Sequence, residues 1–387
     1  MSPQTGGDSF DLLDLTPELP GQHPRGLPEG APQGWRHFWG WSGRSAPIAM
    51  LLLAGIGLGP LGINLLSPAM PLLDPVVPVA LAALGVLVGL GLGNRRTDER
   101  RLVGAAGLHA LVTMLVVSGG IAVVALGVVP EDSRLFWTVV LISGICAATS
   151  LTLPSGDPLE PRTPVARVVE LGVLVPIVAG GLALAWLRAG SPVGAITLVA
   201  QASGVILMLA AAAWLLLTAA SSETEERVFA VSALLLVGGV ADALLLSAPF
   251  VGLIAGVFWR YAGRHPRDAI RRDVLFVQHP LLVLVLLLAG ARAELSAAAL
   301  ALGAGYIVLR IAASLAGGML ARRVAGRNVP ADLGKHLLPP GVFGVAFALN
   351  AVSVIGADAA MAHAAVVVGT IGSELVAVVL RPRRVAE

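Results

Sequence analysis

Apolar residues in this chain come in runs of about twenty, the length a helix needs to cross a hydrocarbon layer about 30 Å thick. Short polar loops separate each run from the next. Inside lipid a chain must satisfy its own backbone N–H and C=O groups, so runs of this length predict helices. The alternating segments of about ten residues that mark a membrane barrel are absent. The runs predict about twelve spans, at 46–66, 76–93, 103–129, 134–153, 164–187, 192–219, 226–246, 249–263, 274–291, 295–319, 333–355 and 361–380. The reading is an all-α, polytopic membrane protein, with the spans numbered as blocks 1 to 12 in chain order.

Residues 1–45 break this pattern. They are rich in Pro and Gly, mildly acidic between Asp8 and Glu18, and lack apolar periodicity, so a mostly disordered tail is expected ahead of a membrane domain at 46–384. The first apolar run starts too late, and without a small-residue cleavage pattern, to be a signal peptide. Trp35, Trp39 and Trp41 precede block 1, where indoles suit the headgroup layer.

Composition agrees with the pattern. The chain is 56% hydrophobic and 13% charged, against about 25% charged in a soluble domain. Its basic residues are arginines apart from Lys335, a bias that fits a GC-rich bacterial genome. The one cysteine, Cys146, lies inside block 4, which excludes a disulfide framework. Charge then fixes orientation. The two terminal segments and the loops after even-numbered blocks hold 22 of the 26 Lys and Arg residues, while the odd-numbered loops hold Arg134, Arg188 and Arg292. By the positive-inside rule both termini and the even-numbered loops are cytoplasmic, in an inner membrane. Because these arginines sit in loops between spans, the net charge of +2 carries no implication of nucleic acid.

One basic residue is left over. Arg310 falls inside block 10, where a charge costs about 2.5–3.5 kcal/mol on insertion scales and should face protein or water. The alternative is a side chain that snorkels to the cytoplasmic interface. The acids within blocks are Glu170, Asp242 and Glu374; His109, His279 and His363 lie in or at the ends of blocks and read as satisfied core residues. Two places predict a broken helix. Block 4 runs through Thr149, Ser150 and Thr152 to Pro154, whose hydroxyls can satisfy freed backbone groups. Block 11 contains Pro339-Pro340-Gly341, which cannot all sit in a regular helix. There is no phosphate-binding Gly-Lys-Ser/Thr loop, no His-Glu-x-x-His and no metal-spaced cysteine or histidine cluster, so an enzyme is not indicated. The Gly-x-Gly-x-Gly run at 89–93 reads as close helix packing.

Five segments in order share a resemblance to one family of membrane proteins. Leu53-Ala54-Gly55-Ile56-Gly57-Leu58-Gly59-Pro60-Leu61-Gly62 is similar to its first core helix, and Leu84-Gly85-Val86-Leu87 to the helix that ends in an Arg-rich loop. Ser247-Ala248-Pro249-Phe250-Val251-Gly252-Leu253-Ile254-Ala255-Gly256, the stretch from His279-Pro280 to Ala289-Gly290, and Leu338-Pro339-Pro340-Gly341-Val342-Phe343-Gly344 follow the same family in turn. The family that these segments resemble is the monovalent cation/proton antiporter superfamily, and the resemblance spans about 46–384. It implies two inverted repeats in which helices 4 and 11 are interrupted and cross, with helices 5 and 10 presenting ionisable side chains to the crossing.

The resemblance also assigns roles. Arg310 matches a basic residue the family carries on helix 10, for charge compensation, and Glu374 matches an acid near the end of the last helix, with a structural pairing expected. Asp242 has no strong counterpart, and a hydrogen bond on the dimer side or in the lumen is its expected role. Helix 5 departs from the family, whose Asn-Asp, Asp-Asp or Gln-Asp pair is absent. In Arg167-Val168-Val169-Glu170-Leu171-Gly172-Val173-Leu174-Val175-Pro176 either Glu170-Leu171 or Leu174-Val175 stands in its place. The expectation is a secondary transporter exchanging protons for Na⁺ or K⁺, with Glu170, Thr149 and Ser150 at the ion site. Glu170 alternatively pairs with Arg167 or Arg310. Other readings are a transport-inactive scaffold or sensor on the same fold and, more distantly, an organic-anion carrier using Arg310. The family implies a homodimer in the lipid bilayer, no cofactor, and no metal beyond the transported cation.

Overall fold

The computed structural model describes residues 47–92, 97–129, 133–150, 164–326 and 329–380. Among these residues the regular structure is helical. The helices are α1 (Pro47–Leu58), α2 (Val76–Gly91), α3 (Thr97–Leu126), α4 (Ser133–Ala147), α5a (Pro164–Gly172) and α5b (Leu174–Ala189). They continue as α6 (Pro192–Ala219), α7 (Glu223–Ala243), α8 (Ala248–Ala262), α9 (Arg264–Ala291) and α10 (Ala297–Ala325). The last three are α11a (Leu333–His336), α11b (Val342–Ile355) and α12 (Ala360–Leu380).

Local chemistry sets many of these ends. Ser191, Ser222 and Ser296 cap α6, α7 and α10 by accepting from the amides of Gly194, Glu225 and Ala299. The split of helix 5 follows from Pro176: it brings no N–H to the turn that ends on Gly172, and its ring crowds that carbonyl. Pro339 and Pro340 act likewise in helix 11, because a residue that precedes proline is pushed out of helical conformation. Leu245, after α7, adopts φ 50°, and Arg188 holds the turn by donating to the carbonyls of Leu244 and Leu245.

Six helical stretches among the described residues are long and apolar enough to cross a membrane: Met70–Gly91, Arg100–Leu126, Pro164–Ala189, Pro192–Ala219, Ala297–Ala325 and Val342–Leu380. Pro47–Leu58, Arg134–Ala147, Ala248–Ala262 and Pro280–Ala291 are apolar but shorter. At 1.5 Å per residue, a helix of about 15 residues reaches only about 22 Å. Among the described residues helix 11 is interrupted, with α11a ending at His336 and α11b starting at Val342.

Helices α1, α2 and α6 to α9 pack mainly on one another, and α3, α4, α10 and α12 make a second group, while α5b and α11b touch both. Glycine makes the closest contact in the first group. At Gly252 of α8 an added Cβ would lie 2.0 Å from the Ala82 carbonyl oxygen of α2, and at Gly85 of α2 one would lie 2.1 Å from that of Pro249. Gly89 faces α8 in the same way, as its motif predicts, whereas Gly91 meets nothing within 4 Å. Gly252→Ala is therefore expected to force the pair apart, at about 1–3 kcal/mol. Its melting temperature in detergent should fall by several degrees, while Gly91→Ala should melt as the parent does.

Candidate ion site at the helix breaks

The C-terminal end of α4 meets the break in helix 11. An α-helix leaves its last carbonyls without intrahelical donors and carries partial negative charge at that end. Past Ala147 the Thr149 hydroxyl donates back to the Cys146 carbonyl at 2.8 Å, and the Gly341 amide donates to the Thr149 carbonyl at 3.1 Å. The approach is close enough that a Cβ at Gly344 would lie 2.6 Å from both the Cys146 carbonyl oxygen and the Thr149 hydroxyl. Thr149 and Ser150 are both buried. Pro154, the predicted break residue of helix 4, lies outside the described residues.

Arg310 closes this arrangement. It is 1% exposed, on the face of α10 that also buries Tyr306, Ser314 and Gly317. Nη1 donates to the Leu338 carbonyl at 2.6 Å, and Nη2 donates to the carbonyls of Thr149 and Pro339, each at 3.2 Å. One guanidinium thus serves the carbonyls past the end of α4 and those past the end of α11a. The snorkelling alternative does not hold, because the side chain turns into the protein. Both terminal nitrogens are committed to backbone, which leaves no free fork for an anionic substrate.

The acid expected beside it is elsewhere. Glu170 lies in α5a and pairs with Arg167 at 2.9 Å, and Arg167 Nη2 donates to the Gly91 carbonyl at the end of α2 at 3.1 Å. Its side chain is 29% exposed. The partners of Arg310 are carbonyls, so the structure does not bring Glu170 and Arg310 together. The reason is the helix register. Val168 and Leu171 turn inward, against Ala105, Ala106, Ala321, Leu333 and Leu337, which leaves Glu170 on the outer face of α5a. Beyond the split, helix 5 presents Val173 and Ile177, both fully buried, and Gly180 packs on the Phe347 ring of α11b. The helix 5 surface nearest the breaks is therefore apolar.

Of the remaining candidates, Glu374 has a structural role. Glu374 is 5% exposed, and its carboxylate accepts from the amides of Ile48 and Ala49. A carboxylate there satisfies orphan donors at the start of α1 and complements its dipole. Asp242 lies in the last turn of α7 with its side chain exposed, not within a packed interior. His109 and His363 are buried, yet Nε2 of His109 and both ring nitrogens of His363 have no partner, against the expectation of satisfied histidines. Asn350 of α11b was missed. Its Oδ1 accepts from the Ala248 amide at 3.1 Å and so caps α8. The signal was available: an asparagine inside an otherwise apolar block should have a backbone partner.

No protein-family model and no curated protein sequence matches the chain. Among solved structures it is similar to the sodium proton antiporter MjNhaP1 from Methanocaldococcus jannaschii, determined at pH 8. The match has a TM-score of 0.61 and 18% sequence identity, over 89% of this chain and 93% of that one. The chain has the antiporter fold. It is accordingly a multi-pass membrane protein.

Within that fold the two acids and the arginine differ in what they hold. Arg310→Gln removes a buried cation that serves three carbonyls, and a hydrogen bond to a charged group is worth about 1.5–3 kcal/mol. The variant should lose about 3 kcal/mol or more, seen as a clear drop in melting temperature in detergent. Glu170→Gln, which breaks a part-exposed ion pair, should shift it far less.

Proposed function

We propose that this protein is a secondary transporter that exchanges protons for a monovalent cation, Na⁺ or K⁺, across the bacterial inner membrane. The observation that carries the reading is the antiporter fold with Arg310 set where the ends of α4 and α11a meet. A hard cation needs oxygen ligands. The carbonyls past the helix ends and the hydroxyls of Thr149 and Ser150 supply them, while Arg310 offsets the negative ends of the helices. Glu170 is the one carboxylate on helix 5. In this reading Glu170, part-exposed on α5a and apart from the junction in this structure, moves to take up the proton or the cation when Arg167 releases it, so exchange is one for one and electroneutral. Both termini and the even-numbered loops are cytoplasmic in this scheme, inverted repeats relate the two broken helices, and the working unit is a homodimer.

A second reading has a specific observation in its favour. Helix 5 is apolar beside the breaks and Glu170 already has Arg167 as a partner, which fits a transport-inactive relative kept as a scaffold or sensor.

Reconstitution into liposomes with an imposed pH gradient and an internal pH dye separates the two. The exchanger should collapse the gradient on addition of Na⁺ or K⁺, and Glu170→Gln should slow this about tenfold or more. No cation response at several pH values, or a Glu170→Gln variant as active as the parent, would remove the exchanger. The scaffold reading expects Leu171→Asp or Val175→Asp to create cation binding that the parent lacks.

A further inference from the structure

The exchange scheme leaves one cluster of buried polar atoms unused. It lies along the contact of α3 with α10, next to Arg310. His109 is 4% exposed and Thr113 is 1% exposed, one helical turn apart on α3. Gly317 of α10 faces both: the position of its missing Cβ is 3.1 Å from Cδ2 of His109 and 3.5 Å from Oγ1 of Thr113. Cδ2 is bonded to Nε2, so Gly317 lets α10 come close to that side of the ring. Nε2 of His109, Oγ1 of Thr113 and Nε of Arg310 all lack a hydrogen-bond partner. Ser314, between Gly317 and Arg310 on α10, is buried too, and its hydroxyl reaches the Gly334 carbonyl only at 3.5 Å.

An orphaned buried polar group costs about 1–3 kcal/mol, so each of the three calls for a partner. The ordinary remedy is a buried water with two or more polar partners. The seam offers them at His109 and Thr113, with Arg310 nearby and Ser314 one turn from it on α10. Toward the even-numbered-loop side it ends under the apolar cluster of Ala105, Ala106, Ala321 and Leu337, which Val168 and Leu171 of α5a complete. Going the other way, past Arg310, the contact is apolar, with Ile121 of α3 beside Gly305 of α10.

We propose that this seam binds a short chain of water molecules and serves as a proton path to the helix breaks, with His109 as a relay and α5a as its cover. Deepening the exchanger reading, it gives the site a proton route that helix 5 does not provide. The imidazole accepts a proton on Nε2 from one water and returns it to the next, so nothing is consumed. Other charged groups on the elements packed against α3 are engaged or distant. Arg167 and Glu170 of α5a pair with each other, Arg134 of α4 pairs with Asp358, and Arg188 of α5b holds the turn after α7. Arg322 and Arg323 lie in the last turn of α10. Arg310 is the charge that acts on His109, and Tyr306 and Cys146 are the remaining titratable side chains on these elements.

The test reads water access apart from transport. On a Cys146→Ala background, Thr113→Cys and Ile121→Cys are each treated with a small cationic methanethiosulfonate reagent in the full-length protein. The seam predicts that Thr113→Cys reacts about tenfold faster or more than Ile121→Cys, and that adding Gly317→Val to it suppresses the reaction. Equal rates, or an unreactive Thr113→Cys in a protein that still melts normally, would overturn the seam. In liposomes, Thr113→Val should slow cation-driven proton movement severalfold; an unchanged rate would overturn the path. If the parent shows no cation-driven proton movement while Thr113→Cys is labelled selectively, the hydrated seam stands and the exchanger reading alone falls.

Discussion

Interrupting a helix inside a membrane leaves backbone carbonyls without intrahelical donors, and Arg310 is this protein's answer to that cost. Its two terminal nitrogens satisfy carbonyls past the ends of both α4 and α11a, and its positive charge opposes the negative ends of both helices at once. The exchange is mutual. A guanidinium at this depth is tolerated because the carbonyls solvate it, and the carbonyls are tolerated because it donates to them. With the Gly341 amide also directed at Thr149, the break becomes a built junction.

Other features follow from holding that junction in place. Pro339 and Pro340 keep helix 11 from closing over the break, Gly344 lets α11b approach the Cys146 carbonyl, and Asn350, two turns on, ties α11b to the start of α8. Glu374 does for an N-terminal helix end what Arg310 does for two C-terminal ones, by accepting from the first amides of α1. The buried charges of α10 and α12 therefore have identifiable backbone partners, and each completes a helix end.

Much of this was legible in the chain. The apolar blocks located the helices to within a few residues in most cases, because a span's length is set by the thickness of the hydrocarbon layer. Arg310 was found by counting, as the one basic residue that no loop could absorb, and the Pro-Pro-Gly break was plain from residues that cannot continue a helix. The site was less legible. Glu170 was placed on helix 5 correctly, but whether it faced Arg310 depended on the split at Val173 and on Val168 and Leu171 claiming the inner face. A hydrophobic pattern so nearly uniform does not reveal which side of a short helix turns inward. His109 and Thr113 were invisible as a pair for a related reason: their common neighbour is Gly317, more than two hundred residues away.

The claim that one guanidinium holds the ends of both α4 and α11a is tested most directly by amide hydrogen exchange at the junction, read in the parent and in Arg310→Gln under the same detergent conditions. The account predicts a slowly exchanging Gly341 amide in the parent, fast exchange there in the variant, and no change along α6. Equal protection of Gly341 in the two proteins would contradict it.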